Sequence, residues 1–322
     1  MKRKMVPIIC MVILLMISAV GRTFRNKNYL SAKIQPAETA AEEKTELLPE
    51  LEMRDDLVSE DVIYEYEIQE LYARRNEKQI YGVVYVPQDA GEKMPTVIFS
   101  HGFGGNYQVG TQYAEALAAK GYVVYCFDFC GGGPDSRSDG STLEMSVFTE
   151  QADLEAVIDM MQEQSFVDSR NIFLMGTSMG GAVSAITAAA HEDEIQGAIL
   201  LYPAFVLVDD AKEKFGSTAD IPDTYYHMWM TVGRVFAEDL LDYDIYGTIS
   251  AYKKDVLLIH GDADGIVPIS YSKKAVQAYD SARLEVLPGA GHGFSGEDAG
   301  QAIDWILEYL NTHKASGKDG TQ

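Results

Sequence analysis

Two runs rich in β-branched and aromatic residues, "YEYEIQEL" at 64–71 and "QIYGVVYVP" at 79–87, flank the polar "YARRNEK" and predict an antiparallel hairpin. The pattern then changes. "TVIFS" at 96–100 is a short apolar run without polar alternation, and "YQVGTQYAEALAAKG" after it reads as a helix stopped by Gly121. "YVVYCFDF" is the next strand, and Leu154, Val157, Ile158 and Met161 follow at the i, i+3, i+4, i+7 spacing of one helix face. "NIFLMG" continues as strand and "MGGAVSAITAAAH" as helix. "GAILLYP", "DVLLIHG" and "ARLEVLP" are further strands, and Ile303, Ile306 and Leu310 give a closing helix its apolar face. Apolar strands that do not alternate need cover on both faces, and strands followed by helices form a parallel sheet. The expected class is α/β: a mostly parallel eight-stranded sheet with helices on both faces. Residues 205–254 break the rhythm, with several aromatics and no clear strand–helix alternation. A stretch of that length in a compact domain reads as a functional insertion such as a lid.

The N-terminus has a different character. "MKRK" leads into the apolar "MVPIICMVILLMISAV" at 5–20, which is short for a membrane span and suits a signal segment. Ala19-Val20-Gly21 offers small residues for cleavage, yet Arg22, Arg25 and Lys27 follow at once. Residues 1–25 are therefore expected to be a signal peptide or an uncleaved membrane anchor. Either places the remainder outside the cytoplasmic membrane, secreted or tethered. Residues 26–61 turn polar and then acidic, as in "PAETAAEEKTELLPELEMRDD", and read as a disordered linker. The folded domain is expected over 62–313, with a flexible tail at 314–322.

Composition narrows the function. With 47% hydrophobic residues, the 322-residue chain can bury a substantial core. A net charge of -23 argues against nucleic acid as a partner, because it would repel the phosphates. Of three cysteines, Cys10 lies in the apolar leader. A regular strand holds Cys126 and Cys130 too far apart to bond, although a turn after Asp128 could bring them closer, and free thiols are favoured. No metal-ligand spacing is present.

Candidate chemistry begins at "NIFLMGTSMGGAVSAI". With 28 glycines in the chain, a chance G-x-S-x-G has a probability on the order of 0.1, so Ser178 must be judged by its surroundings. It lies where an expected strand ends, the edge at which open parallel sheets bind ligands. A nucleophilic serine needs a base, and the base an orienting acid. Among six histidines, His313 and His191 sit in polar surroundings, His227 in the insertion, and His101 just before Gly102. His260 ends an apolar strand and reads as a packed structural residue. His292, in the glycine-flanked "GAGHGF" after the last strand, suits a mobile imidazole. "HGDADGIVP" supplies the acid, with Asp262 and Asp264 both qualifying by chemistry.

Together these residues resemble the α/β-hydrolase superfamily. "HGFGGN", "GTSMGG", "HGDADGIVP" and "GAGHGF" follow its third strand, nucleophile elbow, seventh strand and eighth strand, in its serine–acid–histidine order. The resemblance spans nearly everything from Tyr64 to Leu310. It implies Ser178 as nucleophile, His292 as base and Asp264 as acid, because the acid closes the family's H-G-x-x-D. It also implies backbone N–H groups of Met179 and Phe103 as an oxyanion hole, a two-step acyl transfer, and no metal or organic cofactor. Within the superfamily the chain looks most like bacterial cinnamoyl and feruloyl esterases and their exported relatives. Where many of these carry D-x-x-G-H-G-x-S, it has "DFCGGGPDS", a loop expected near the pocket. Tyr225, Tyr226, His227, Met228 and Trp229 suggest an apolar roof over an aromatic or medium acyl group.

The expected activity is an exported serine carboxylesterase acting on a small-molecule ester. A serine aminopeptidase or prolyl-oligopeptidase-like peptidase shares the triad, and Asp209, Asp210 or Asp223 could anchor a free amine. A non-catalytic binding module would normally have lost a triad member. A phosphate-binding reading of "GTSMGG" fails for want of G-x-x-x-x-G-K-[ST].

Overall fold

The computed structural model describes residues 62–315. The expected signal or anchor segment, the acidic linker and residues 316–322 of the tail lie outside them.

Strands β1 (Tyr66–Arg75) and β2 (Lys78–Pro87) form the expected hairpin, paired antiparallel from Tyr66↔Pro87 to Arg75↔Lys78. Asn76 at its turn takes a φ of 56°, a left-handed conformation that asparagine tolerates. Strands β3 (Met94–Ser100), β4 (Val123–Phe127), β5 (Val167–Thr177) and β6 (Ile195–Leu201) follow. The antiparallel ribbon β7 (Thr224–His227) and β8 (Met230–Gly233) stands apart, before β9 (Val256–Gly261) and β10 (Ala282–Leu287). The main sheet has eight strands in the order β1-β2-β4-β3-β5-β6-β9-β10, parallel throughout from β4 to β10. Its successors β4 and β5 lie on opposite sides of β3, so the chain changes direction there and a crevice opens beyond the strand ends.

Helices α1 (Thr111–Ala118), α2 (Val147–Gln162), α3 (Ser178–Ala190), α7 (Ser270–Ala278) and α8 (Glu297–His313) cover the sheet. Side-chain alternation divides the core into two clusters. Ile172 and Leu174 of β5 join Leu154, Val157, Ile158 and Met161 of α2 on one face. Phe173 and Met175, one residue out of step, join Leu117 of α1 and Ile306 and Leu310 of α8 on the other. Every residue of β4 and β9 is buried, which explains why these strands carry no polar alternation.

The insertion at 205–254 is more regular than its sequence suggests. It holds α4 (Leu207–Lys214), a 3-10 turn (Thr218–Asp220), the β7–β8 ribbon, α5 (Val235–Glu238) and α6 (Ile245–Ile249). Elements of three to eight residues complete at most two helical turns or four strand positions, too little to print a period. Cys126 and Cys130 are both buried and both free thiols. Among the described residues no helix is long and apolar enough to cross a membrane.

Candidate active site

Ser178 stands at the junction of β5 and α3 with a φ of 52°. For a residue bearing a Cβ, that conformation costs on the order of 1–3 kcal/mol and persists only where the surroundings impose it. The flanking glycines supply the room. A Cβ on Gly176 would overlap the carbonyl oxygen of Gly180, and one on Gly180 would overlap those of Ser100 and His101. Strand β5 and helix α3 therefore approach more closely than other residues allow, and the turn pushes Ser178 above the sheet edge.

His292 reaches it from the loop after β10. Its Nε2 lies 3.0 Å from Ser178 Oγ, and its Nδ1 2.8 Å from Asp264 Oδ2. The other carboxylate oxygen, Oδ1, accepts the N–H groups of Ile266 at 2.8 Å and Val267 at 2.9 Å. Burial works against a charge on Asp264, but the Val267 N–H, the His292 imidazole and the Ile266 N–H outweigh it and hold the carboxyl below its usual range. Asp262 is exposed and accepts the N–H of Gly289 at 2.6 Å, tying down the histidine loop from its base. The two acids thus have separate positions, and Asp264 is the one beside the imidazole.

The N–H of Phe103 makes no hydrogen bond among the described residues. Met179 is the second residue of α3, where a backbone N–H has no acceptor within the helix. Both residues line the pocket with Ser178. The loop carrying Phe103 is braced by His101, which sequence reasoning left unassigned. Its Nε2 accepts the N–H of Phe129, so Nδ1 carries the proton and donates to the Gly102 carbonyl at 2.8 Å. Burial holds this imidazole below the usual histidine range, hence neutral. Gly104 N–H adds a bond to Gly132 O at 3.0 Å. The "DFCGGGPDS" loop, expected near the pocket, instead packs behind the Phe103 loop and contributes no residue to the pocket lining. Its glycines allow that approach, since a Cβ on Gly133 would lie 2.6 Å from Gly105 O.

The pocket above Ser178 has a volume of about 470 Å³. Phe103, Leu207, Met228, Trp229 and Ile266 give it apolar walls, and Asp210 is the one carboxylate in its lining, which contains neither lysine nor arginine. Burial, with Glu213 and Asp209 nearby, pushes Asp210 above the usual carboxylate range. Asp209 accepts the Tyr271 hydroxyl, and neither it nor Asp223 faces the pocket. Of the five residues expected as a roof, His227, Met228 and Trp229 line the cavity. Tyr225 packs on Phe215, and Tyr226 is 64% exposed. His227 and Trp229 meet the Phe103 ring edge-on at 5.1 and 5.4 Å between centroids. Tyr202, also absent from the sequence reading, packs edge-on against the His292 ring at 4.8 Å. Its φ of 39° turns the chain off β6 toward the site.

Known proteins resemble this chain in sequence and fold. The family model described as serine aminopeptidase, S33, matches residues 91–235. An uncharacterized protein of Mycobacterium tuberculosis is 30% identical over 211 residues, which cover 65% of this chain and 66%, just under two thirds, of that protein. The AB hydrolase superfamily protein YisY of Bacillus subtilis is 25% identical over 264 residues, covering 70% of this chain and 94% of YisY. Among solved structures, Est1E of Butyrivibrio proteoclasticus with ferulic acid bound superposes with a TM-score of 0.70 at 24% identity, covering 76% of this chain and 98% of Est1E. Sheet order, elbow and relatives agree: the chain has the α/β-hydrolase fold and is similar to proteins of that superfamily.

Proposed function

We propose that the protein is a serine hydrolase that cleaves neutral carboxylic esters through an acyl-enzyme. The observation that carries this reading is the hydrogen-bonded line Ser178–His292–Asp264 at the floor of an apolar pocket. Ser178 Oγ attacks the ester carbonyl while His292 Nε2 takes its proton, and Asp264 holds the Nδ1–H tautomer and balances the imidazolium. The N–H groups of Met179 and Phe103 receive the negative oxygen of the tetrahedral intermediate. Each such donor typically supplies about 2.7–4 kcal/mol. Collapse expels the alcohol, which takes the proton back from His292. Water then attacks the acyl-serine with His292 again as base, releasing the carboxylic acid and restoring Ser178. The apolar walls support an aliphatic or aromatic acyl group, and the ferulic acid in the Est1E structure lends weight to an aromatic one. The basic and apolar N-terminal segment supports export, secreted or tethered, which protease accessibility on intact cells would test.

Hydrolysis of p-nitrophenyl acetate and butyrate is the direct test. Ser178→Ala is expected to lower kcat by about 10⁴-fold or more. A folded wild-type protein without turnover would overturn the esterase reading.

One observation favours a peptidase as the second reading. Asp210 faces the pocket as a free amine would require, and the matching family model is that of a serine aminopeptidase. Aminoacyl p-nitroanilides turned over faster than esters, with loss of that activity in Asp210→Asn, would favour it.

A further inference from the structure

His260 is fully buried at the end of β9, and both ring nitrogens are engaged. Nδ1 lies 2.7 Å from the hydroxyl of Ser272, a buried residue of α7, and Nε2 lies 2.9 Å from the carbonyl oxygen of Val267. These contacts fix the tautomer. A carbonyl only accepts, so Nε2 carries the hydrogen, and Nδ1 must then accept the Ser272 O–H. Burial keeps the ring neutral, against the pull of the neighbouring carbonyl and carboxylate. The same Nε2 is 3.3 Å from Asp264 Oδ2, the oxygen that takes the N–H of His292.

We propose that His260 is a positioning residue for the catalytic acid, a second imidazole that shares Asp264 Oδ2 with His292. The inference rests on the hydrolase reading above. An ionised carboxylate offers about four lone-pair sites. Here Oδ1 takes the N–H groups of Ile266 and Val267 and Oδ2 that of His292, while His260 Nε2, whose hydrogen goes to the Val267 carbonyl, lies 3.3 Å from the same Oδ2. Three N–H groups and the buried His260 ring thus hold the carboxylate in the orientation that faces His292. His260 donates to the Val267 carbonyl while lying against Asp264, so it also locks the turn that delivers the two backbone donors. The array runs from Ser272 O–H to His260, then to Asp264, where it meets the line from Ser178 through His292. Ser272 enters it because, among the described residues, it is the one partner of His260 Nδ1.

A role exercised through Asp264 differs measurably from simple packing. The readout is the rate at which a fluorophosphonate labels Ser178 in the full-length protein, a reaction that needs the nucleophile and its base but no knowledge of the natural substrate. His260→Leu is expected to slow labelling about 10- to 100-fold, the size of loss that removing a partner of a catalytic group produces. For p-nitrophenyl butyrate the loss should fall on kcat rather than KM. His260→Gln, whose amide N–H reaches about as far as Nε2, should recover most of the rate. In an Asp264→Ala background, His260→Leu should cost less than about twofold, because the group it acts through is gone. Ser272→Ala gives a milder variant, with a smaller loss that also vanishes in that background. A His260→Leu loss of equal size in both backgrounds, or a Gln variant no better than Leu, would overturn the inference alone. A wild-type protein that takes up no label would overturn the hydrolase reading, and this inference with it.

Discussion

Asp262 and Asp264 are two residues apart and chemically identical, so the residue scale is where sequence and structure contribute most unequally. "HGDADGIVP" gives no physical reason to choose between them. The choice follows from hydrogen bonds made after the chain turns: Asp262 points to the Gly289 N–H, and Asp264 to the His292 imidazole. Their substitutions should separate. Asp264→Asn leaves the shape but not the acceptor pattern, and is expected to lower kcat about 10⁴-fold. Asp262→Asn should keep kcat within a few-fold while lowering Tm, since an exposed bond that ties a loop contributes about 0.5–1.5 kcal/mol. Steady-state kinetics and thermal melts on the two variants check this, and comparable kcat losses in both would contradict it. Ser178 and His292 were legible because glycines mark their turns. His101, Tyr202 and the contact of His260 with Asp264 were not, because nothing local in the sequence records which carbonyl or ring a buried side chain will meet.

Among the elements, those with long periods were readable and those without were not. The i, i+3, i+4, i+7 stripe of α2 predicted four residues that are all buried. The β7–β8 ribbon offers four residues per strand and one bend, at Met228 with a φ of 49°, so its sequence looks like loop. Its position is fixed from outside. Thr142 Oγ1 donates to Thr231 O, and Lys214 Nζ to Tyr226 O. At the free end Trp229, although 52% exposed, lies against Gly104, where a Cβ would leave it no room. The ribbon thus forms one wall of the pocket and rests on the loop that carries Phe103. Trp229→Ala is expected to lower kcat/KM for p-nitrophenyl hexanoate about tenfold, from roughly 1.5 kcal/mol of lost apolar contact, and to alter acetate little. Tyr226→Ala should change neither. An acyl-length series on both variants decides the matter, and equal losses on acetate and hexanoate would mean that the ribbon shapes the Phe103 loop rather than the acyl side of the pocket.

At the scale of the whole molecule, the apolar clusters on the two faces of the sheet account for the class that the sequence suggested. One core feature ran against that pattern. Helix α2 carries Glu150 and Asp153 inward, both almost fully buried. Asp153 receives Arg75 and the Cys130 N–H, whereas Glu150 Oε2 has no partner among the described residues. Burial, and then the neighbouring Asp153, raise the Glu150 carboxyl well above its ordinary 4.5, so the folded protein keeps it protonated where the unfolded chain has released the proton. Stability from this group is therefore fully present below about pH 4.5 and declines as the pH rises toward the folded value, by about 1.4 kcal/mol per pH unit for one proton. Glu150→Gln is uncharged in both states and removes that slope. Denaturant unfolding between pH 5 and 8 should show wild type losing stability relative to the variant as the pH rises. Buried neutral histidines such as His101 and His260, which weaken the fold below about pH 6.5, are common to both proteins and cancel in the difference. Parallel curves would mean that Glu150 ionises in the folded state, with a partner for its charge inside the core.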